Sequence, residues 1–338
     1  MRVTKESLAE AARQGLLQQT QVEPLWTFLA GRSTFNFLNL GYYLGALLVI
    51  GAFSMFMVNA AAFGTGALLA VALAYIVGLT AAGLRLWARG TWPVPAGLLV
   101  TAAVSIVPLA VYAGMDVLGL WAGDPPGEYH DFHVWIRGDW IWLELATLAA
   151  GALALWRVRF PFLVAPLAFV LWYVSMDLTP VFFGEDFSWD HRKRVSLVVG
   201  LAILALAFAV DRRARQDYAF WLYLFGLLAF WGGLSLLSSD SELGKLVYCA
   251  INVVLLLAGV LLQRRAFLVF GAVGVYLYLG HLAQAVFRDA LLFPLALSGL
   301  GLGFIALAMQ AHRHQAAIER WRTRLLSPRV RAWLPPAR

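Results

Sequence analysis

Six polar side chains stand out in an otherwise apolar chain, because each falls inside or at the end of a long hydrophobic stretch. Carboxylates and imidazole can hold a ligand or move a proton, and histidine does so near neutral pH. Ionisable residues within a membrane-spanning helix are costly and mark functional sites. We therefore predict a ligand-binding site composed of Asp177, His281, Glu144, Asp116, Asn252 and Gln284.

Two polar segments between the hydrophobic stretches contain residues that could ligate a divalent metal ion. His130 and His133 lie in the first segment and His191 in the second, each near acidic residues. Imidazole and carboxylate are suitable donors. However, this histidine spacing is not the i, i+4 placement that brings two imidazoles to one helix face. The three histidines stay candidates only, and we predict neither a metal site nor a cofactor.

The elements that must position these residues are apolar stretches long enough to cross a bilayer. Hydrophobic residues make up 61% of the chain and charged residues 13%, against roughly 45–50% and about 25% in soluble globular domains. A hydrocarbon core of about 30 Å needs about 20 apolar residues in a helix. We predict an all-α bundle of ten transmembrane helices at 37–59, 63–87, 94–115, 140–157, 160–178, 195–210, 218–237, 246–262, 266–286 and 291–310.

The positions of the basic residues predict how these helices are oriented. Most of the 26 lysine and arginine residues fall before the first helix, after the last, or in every second connection. Cytoplasmic loops carry such an excess, so both termini are expected in the cytoplasm. The longest connections, 116–139 and 179–194, then face outward. Each basic connection would close a helical hairpin of the same orientation; these connections hold Arg85 and Arg89, Arg157 and Arg159, Arg212, Arg213 and Arg215, and Arg264 and Arg265.

This orientation places the candidate site near the outer face of the membrane. Asp177 and His281 lie about 24 Å from the cytoplasmic ends of their helices, at about 1.5 Å per residue. Asp116 and Glu144 lie at outer helix ends, and the inner half of the bundle is expected to hold almost no ionisable side chain. We therefore predict a polar vestibule that opens to the periplasm, with Asp177 and His281 facing one another across it.

Two amphipathic segments flank the transmembrane domain, which is expected to span 36–311. Residues 1–35 predict a cytoplasmic pair of helices, in which Gly15 ends the first helix and Thr20 with Glu23 forms a capping box for the second. Residues 312–338 mix tryptophan and leucine with arginine, as in a basic segment that rests on the inner leaflet.

Several function classes are excluded by what the chain lacks. The net charge of +7 is explained by attraction to anionic lipid at the cytoplasmic face. The chain lacks the basic stripe with stacking aromatic residues that is typical of nucleic-acid binding. No glycine-rich phosphate-binding loop precedes a helix, so ATP-driven chemistry within this chain is not expected. Cys249 is the only cysteine, so no disulfide can form within the chain. The expected partners are membrane lipids, together with other membrane subunits or a second copy of the chain.

Two segments near the amino terminus carry a resemblance to a known family. Leu8–Leu17 and Gly41–Gly51 resemble an uncharacterised bacterial family of predicted multi-pass membrane proteins, whose members pair a short cytoplasmic helical segment with many hairpin-like spans. The resemblance implies a helical membrane bundle in a bacterial inner membrane. It implies no functional residues.

Three functions are compatible with an outward-facing polar site. In the first, the protein binds or translocates a small molecule or lipid, and an Asp177–His281 pair couples binding to protons. In the second, it is an accessory, structural or sensory subunit of a larger membrane complex. In the third, it is an enzyme of the outer leaflet, with Asp177, Glu144 and His281 as acid and base groups. We expect the first, and we do not expect an enzyme.

Overall fold

The structure is a computed structural model that describes residues 5–30, 64–90, 92–121, 140–183, 188–214, 216–237 and 241–286, with single positions between 41 and 51 and between 294 and 310. Within these residues all regular secondary structure is helical. The chain divides into two units, residues 1–58 and 59–338. Two of the predicted spans, 37–59 and 291–310, and the segment 312–338 lie mostly or wholly outside the described residues.

The first unit contains the predicted helical pair, α1 (Lys5–Arg13) and α2 (Gln19–Ala30). Gly15 ends α1 as expected: its φ is 74°, and the amides of Gly15 and Leu16 donate to the carbonyls of Ala12 and Ala11. Glycine adopts this left-handed conformation without steric cost. The predicted capping box of α2 is wrong, because the helix already includes Thr20.

The continuously described part of the second unit contains eight helices, each on one of the predicted spans. Seven apolar stretches among them are long enough to cross a membrane, while α5 is shorter at 17 residues. The helices are α3 (Thr65–Arg89), α4 (Pro93–Val117), α5 (Ile141–Arg157), α6 (Val164–Phe183, after a 3-10 turn Pro161–Leu163), α7 (Trp189–Arg213), α8 (Ala219–Leu236), α9 (Glu242–Leu262) and α10 (Arg265–Val286).

Helix α7 is much longer than the predicted span 195–210. The predicted outer connection 179–194 is therefore too long, because α6 continues to Phe183 and α7 begins at Trp189. The helix begins after Ser188, whose side-chain oxygen accepts a hydrogen bond from the amide of His191, while the His191 imidazole accepts one from the amide of Ser188. This reciprocal cap satisfies amides that would otherwise be unpaired. It allows the charged residues 190–194 to be helical, which hydropathy alone does not predict.

Consecutive helices pack as hairpins, most extensively α7 with α8, α3 with α4, and α9 with α10. We call the end where the basic connections lie the inner end and the opposite end the outer end, after the orientation that the charges predict. At Gly200 of α7, a side-chain carbon would overlap the backbone of Phe230 in α8. Glycine at this position therefore lets the two helices approach closely.

The buried core of the second unit contains residues from each of the five helices α6 to α10, among them Ile203, Tyr223, Leu227, Leu255 and Phe267. Large apolar side chains also cover the outside of the helices; Leu153, Val198, Val254 and Val269 are all more than half exposed. In a water-soluble protein so much exposed apolar surface would drive association. Such a surface is compatible with helices that lie in a membrane.

Candidate functional site

Three helices bring two acids and one base together at the outer end of the bundle. Glu144 lies in the first turn of α5, Asp177 in the last two turns of α6, and Arg192 in the first turn of α7. Helix α6 packs against both α5 and α7. We call Glu144, Asp177 and Arg192 the outer polar cluster.

All three residues of the outer polar cluster are buried. Asp177 is 2% exposed, Glu144 5% and Arg192 8%. The carboxyl groups of Glu144 and Asp177 lie within hydrogen-bonding range of each other, and the charge of Arg192 acts on Asp177. Where the sequence predicts a polar vestibule, the structure has a buried acid–acid contact with one neighbouring guanidinium, and the vestibule itself stays a prediction.

The carboxyl oxygens of Glu144 and Asp177 have no hydrogen-bond donor in the part of the chain that the structure describes. None of the four oxygens accepts a hydrogen bond from the side chains or backbone that the structure describes. Nearly all buried polar atoms in folded proteins have a partner, and an ionised carboxylate that is buried without one costs several kcal/mol. Four such atoms in one place indicate a site that is completed by something other than this part of the chain.

Arg192 is held in place by its surroundings. Its guanidinium carbon lies 5.2 Å from the centre of the Trp189 ring, a cation–π contact. Tyr173 of α6, one helical turn before Asp177, also acts on its charge. The sequence predicts Arg192 in the outward connection 179–194, where pairing of Asp177 and Glu144 with residues 192–194 is an alternative to ligand binding; its place in the first turn of α7 depends on the Ser188 cap.

His281 belongs to a different polar group from Asp177. Its Nε2 atom lies 3.9 Å from Oε1 of Glu242, and Glu242 accepts a hydrogen bond of 2.8 Å from Lys245. These contacts join the outer ends of α9 and α10, whereas the electrostatic neighbours of Asp177 are Glu144 and Arg192. The expected Asp177–His281 pair is therefore replaced by two separate groups.

Asn252 has a packing role. The side-chain oxygen accepts a hydrogen bond of 3.0 Å from the indole of Trp231 in α8, and its amide donates to the carbonyl of Tyr248. A side-chain carbon at Gly274 of α10 would overlap the Asn252 amide. Asn252 thus ties α8, α9 and α10 together, and both ends of its amide are used within the protein.

The remaining predicted residues are dispersed or lie outside the described part of the chain. Asp116 is half-buried, one residue before the end of α4. Gln284 has a helical backbone in α10, but its side chain is outside the described residues, as are His130 and His133. His191 is used in the α7 cap and stacks on Phe183 with ring centres 4.2 Å apart. Among the described residues no three metal-ligating side chains cluster.

A second buried ionic group lies at the inner end, where the sequence places the basic connections but predicts no buried ion pair. Arg264, between α9 and α10, donates from Nε to Oδ2 of Asp211 at 3.0 Å and from Nη2 to Oδ1 of the same residue. Its Nη1 also contacts Asp217 at 3.2 Å. Asp211 is 0% exposed and Arg264 8%. We call these three residues the inner ionic cluster.

The inner ionic cluster ties the ends of three helices together. Asp211 is at the end of α7, Asp217 precedes α8, and Arg264 follows α9. The guanidinium carbon of Arg264 also lies 5.7 Å from the Tyr223 ring. The signal in the sequence was small: two acids stand among the arginines of a basic connection. Their partner is 53 residues away from Asp211 along the chain.

No family model, curated protein or solved structure matches this chain. The outer polar cluster and the inner ionic cluster are therefore the features from which its function must be argued.

Proposed function

We propose that this chain is an integral protein of a bacterial inner membrane that binds or translocates a small molecule or lipid through the outer polar cluster. It would cross the membrane ten times, with both termini in the cytoplasm. The seven long apolar helices and the alternation of basic connections support this arrangement, since cytoplasmic loops carry the lysine and arginine excess.

The observation that carries the proposal is that the four buried carboxyl oxygens of Glu144 and Asp177 have no hydrogen-bond donor among the described residues. Packing alone favours the replacement of such a pair by apolar side chains. A ligand-binding role explains why two acids lie together there. Asn252 and the Arg264 ion pair differ in this respect, because their hydrogen bonds are made within the protein.

The two polar clusters have different roles in this proposal. Arg192 and Asp211 lie on the same helix, about 28 Å apart at 1.5 Å per residue, which is close to the thickness of the hydrocarbon core. The carboxyl oxygens of the outer cluster accept no hydrogen bond from the described residues, and the inner cluster is internally paired. In the proposed state, the binding site lies on the periplasmic side, and ionic contacts hold the cytoplasmic ends of the helices together.

The proposal is tested by the molecules that copurify with the protein. Wild-type protein, Asp177→Asn and the control Glu242→Gln are extracted in a mild detergent, and the small molecules released on denaturation are compared by mass spectrometry. Glu242 is an exposed acid at the outer end, so its variant controls for loss of one negative charge. A compound present in wild type and control but absent from Asp177→Asn supports the proposal. Identical profiles in all three, with folded protein, contradict it.

The ten-helix orientation has its own test. Fusion of a fluorescent protein or of alkaline phosphatase to the carboxyl terminus reports the side on which that terminus lies. We expect fluorescence and no phosphatase activity. Phosphatase activity without fluorescence would place the terminus outside and overturn the assignment of inner and outer ends.

A further inference from the structure

We propose that the outer polar cluster recognises the ammonium group of a small organic cation and releases one proton for each cation that it binds. This inference rests on the proposed function, because it names the ligand class of the same site. It goes beyond the proposed function because it specifies the charge of the ligand, its hydrogen-bond donors and the number of protons released for each ligand bound.

The charge of the ligand follows from the charges in the cluster. Glu144 and Asp177, if both are ionised, carry two negative charges, and Arg192 supplies one positive charge. One negative charge is then left uncompensated in a buried place, which is costly. A single positive charge restores neutrality. An anionic ligand would add to the imbalance, and a neutral ligand would leave it unchanged.

The hydrogen-bonding pattern selects among cations. Four acceptor oxygens that have no donor among the described residues suit a primary ammonium group, which has three N–H donors and no acceptor. A divalent cation such as Ca²⁺ or Mg²⁺ takes six or more oxygen ligands, and no triplet of ligating side chains is found in the described part of the chain. A quaternary ammonium ion has the charge but no N–H donor.

A proton takes the place of the cation when the site is empty. The acid–acid contact between Glu144 and Asp177 is attractive only if a proton lies between the two carboxyl groups. The exchange is balanced: the ammonium ion enters, the shared proton leaves to solvent, and both carboxyl groups become ionised. The total charge of the cluster with its occupant is the same before and after.

Few other charged or titratable groups lie close enough to take part. From α7 the cluster meets Arg192; in the same part of the helix Asp190 is bound to Lys193, His191 is held in the α7 cap and stacks on Phe183, and Arg194 is exposed. Helix α6 adds Tyr173, and α4 brings Tyr112 and Asp116 to the outer end. Helix α8 adds no titratable group at the outer end, since its one titratable residue, Tyr223, lies at the inner end. The described neighbours thus leave the exchangeable proton to Glu144 and Asp177.

The test uses the purified full chain in a mild detergent, dialysed until no copurified compound is left, with a pH-indicator dye and almost no buffer. Ethylammonium chloride is titrated in, and tetramethylammonium chloride serves as a cation of equal charge without N–H donors. We expect saturable release of one proton per chain with ethylammonium, at least tenfold weaker binding of tetramethylammonium, and no release from Glu144→Gln. Glu144→Asp keeps the acid and should restore release, and Glu242→Gln should behave as wild type.

The inference would be overturned by ethylammonium binding without proton release, by equal binding of tetramethylammonium, or by normal release from folded Glu144→Gln. Absence of ethylammonium binding to a folded wild-type chain would also overturn it. Failure of this inference can be distinguished from failure of the proposed function. If a neutral or anionic compound copurifies with wild type and is lost from Asp177→Asn, the site binds a ligand but not an ammonium ion.

Discussion

Loss of Arg264 should destabilise the protein more than loss of any exposed charge. In Arg264→Leu, Asp211 stays fully buried without its cation. Removal of one partner from a buried ion pair costs about 3–5 kcal/mol. We expect about 4 kcal/mol here, because Asp217 loses its contact as well. At about 1.4 kcal/mol per factor of ten, this raises the unfolding equilibrium constant roughly 1000-fold.

The double variant distinguishes a buried charge from simple loss of packing. When Asp211→Leu is combined with Arg264→Leu, neither buried charge is left, and apolar side chains fill the space. Such replacements of complete buried pairs are often neutral or stabilising. We expect the double variant to unfold with a free energy within about 1 kcal/mol of wild type.

The free energy of unfolding can be measured in mixed micelles, with sodium dodecyl sulfate as denaturant and tryptophan fluorescence as signal. Lys245→Gln is the control, since it removes a cation from the exposed pair with Glu242 and should leave the transition unchanged. A double variant at least as unstable as Arg264→Leu would refute the reasoning, because the loss would then come from packing and not from an unpaired charge.

Three further predictions concern contacts that hold the helices in place, each measured by the same unfolding transition. Gly200→Ala should lower stability because its side-chain carbon meets the backbone of Phe230, whereas Gly78→Ala, which has open space around it, should not. Trp231→Phe should cost about 1–3 kcal/mol, since it leaves the buried oxygen of Asn252 without its donor; an unchanged transition would mean that another group replaces the indole. Ser188→Ala should cost about 1 kcal/mol by loss of the α7 cap, and Ser188→Asp, which can cap, should restore it.

The length and position of the helices were largely predictable from the sequence. An apolar stretch of about 20 residues has one reasonable state in lipid, because its backbone must be hydrogen-bonded within the segment. Gly15 was also predictable as a helix end. The start of α7 was not, because Ser188 extends the helix through charged residues whose hydropathy resembles that of a loop.

The candidate site was predictable in part. Glu144 and Asp177 were expected near the outer helix ends, since depth follows from position along a helix. Their contact depends on which helices are neighbours, and a single sequence does not determine this. The same reason explains why the Asp211–Arg264 pair was missed and why Asn252 was taken as a ligand residue although its amide bonds to Trp231 and Tyr248.

Native mass spectrometry of the chain, released from mild detergent, tests most directly the claim that Glu144 and Asp177 form a ligand site. It reports oligomeric state, protein partners and bound small molecules in one spectrum. We expect wild type and Glu242→Gln to carry one bound compound per chain, and Asp177→Asn and Glu144→Gln to carry none. A wild-type chain that carries no compound, or the same added mass in all four proteins, would contradict the claim.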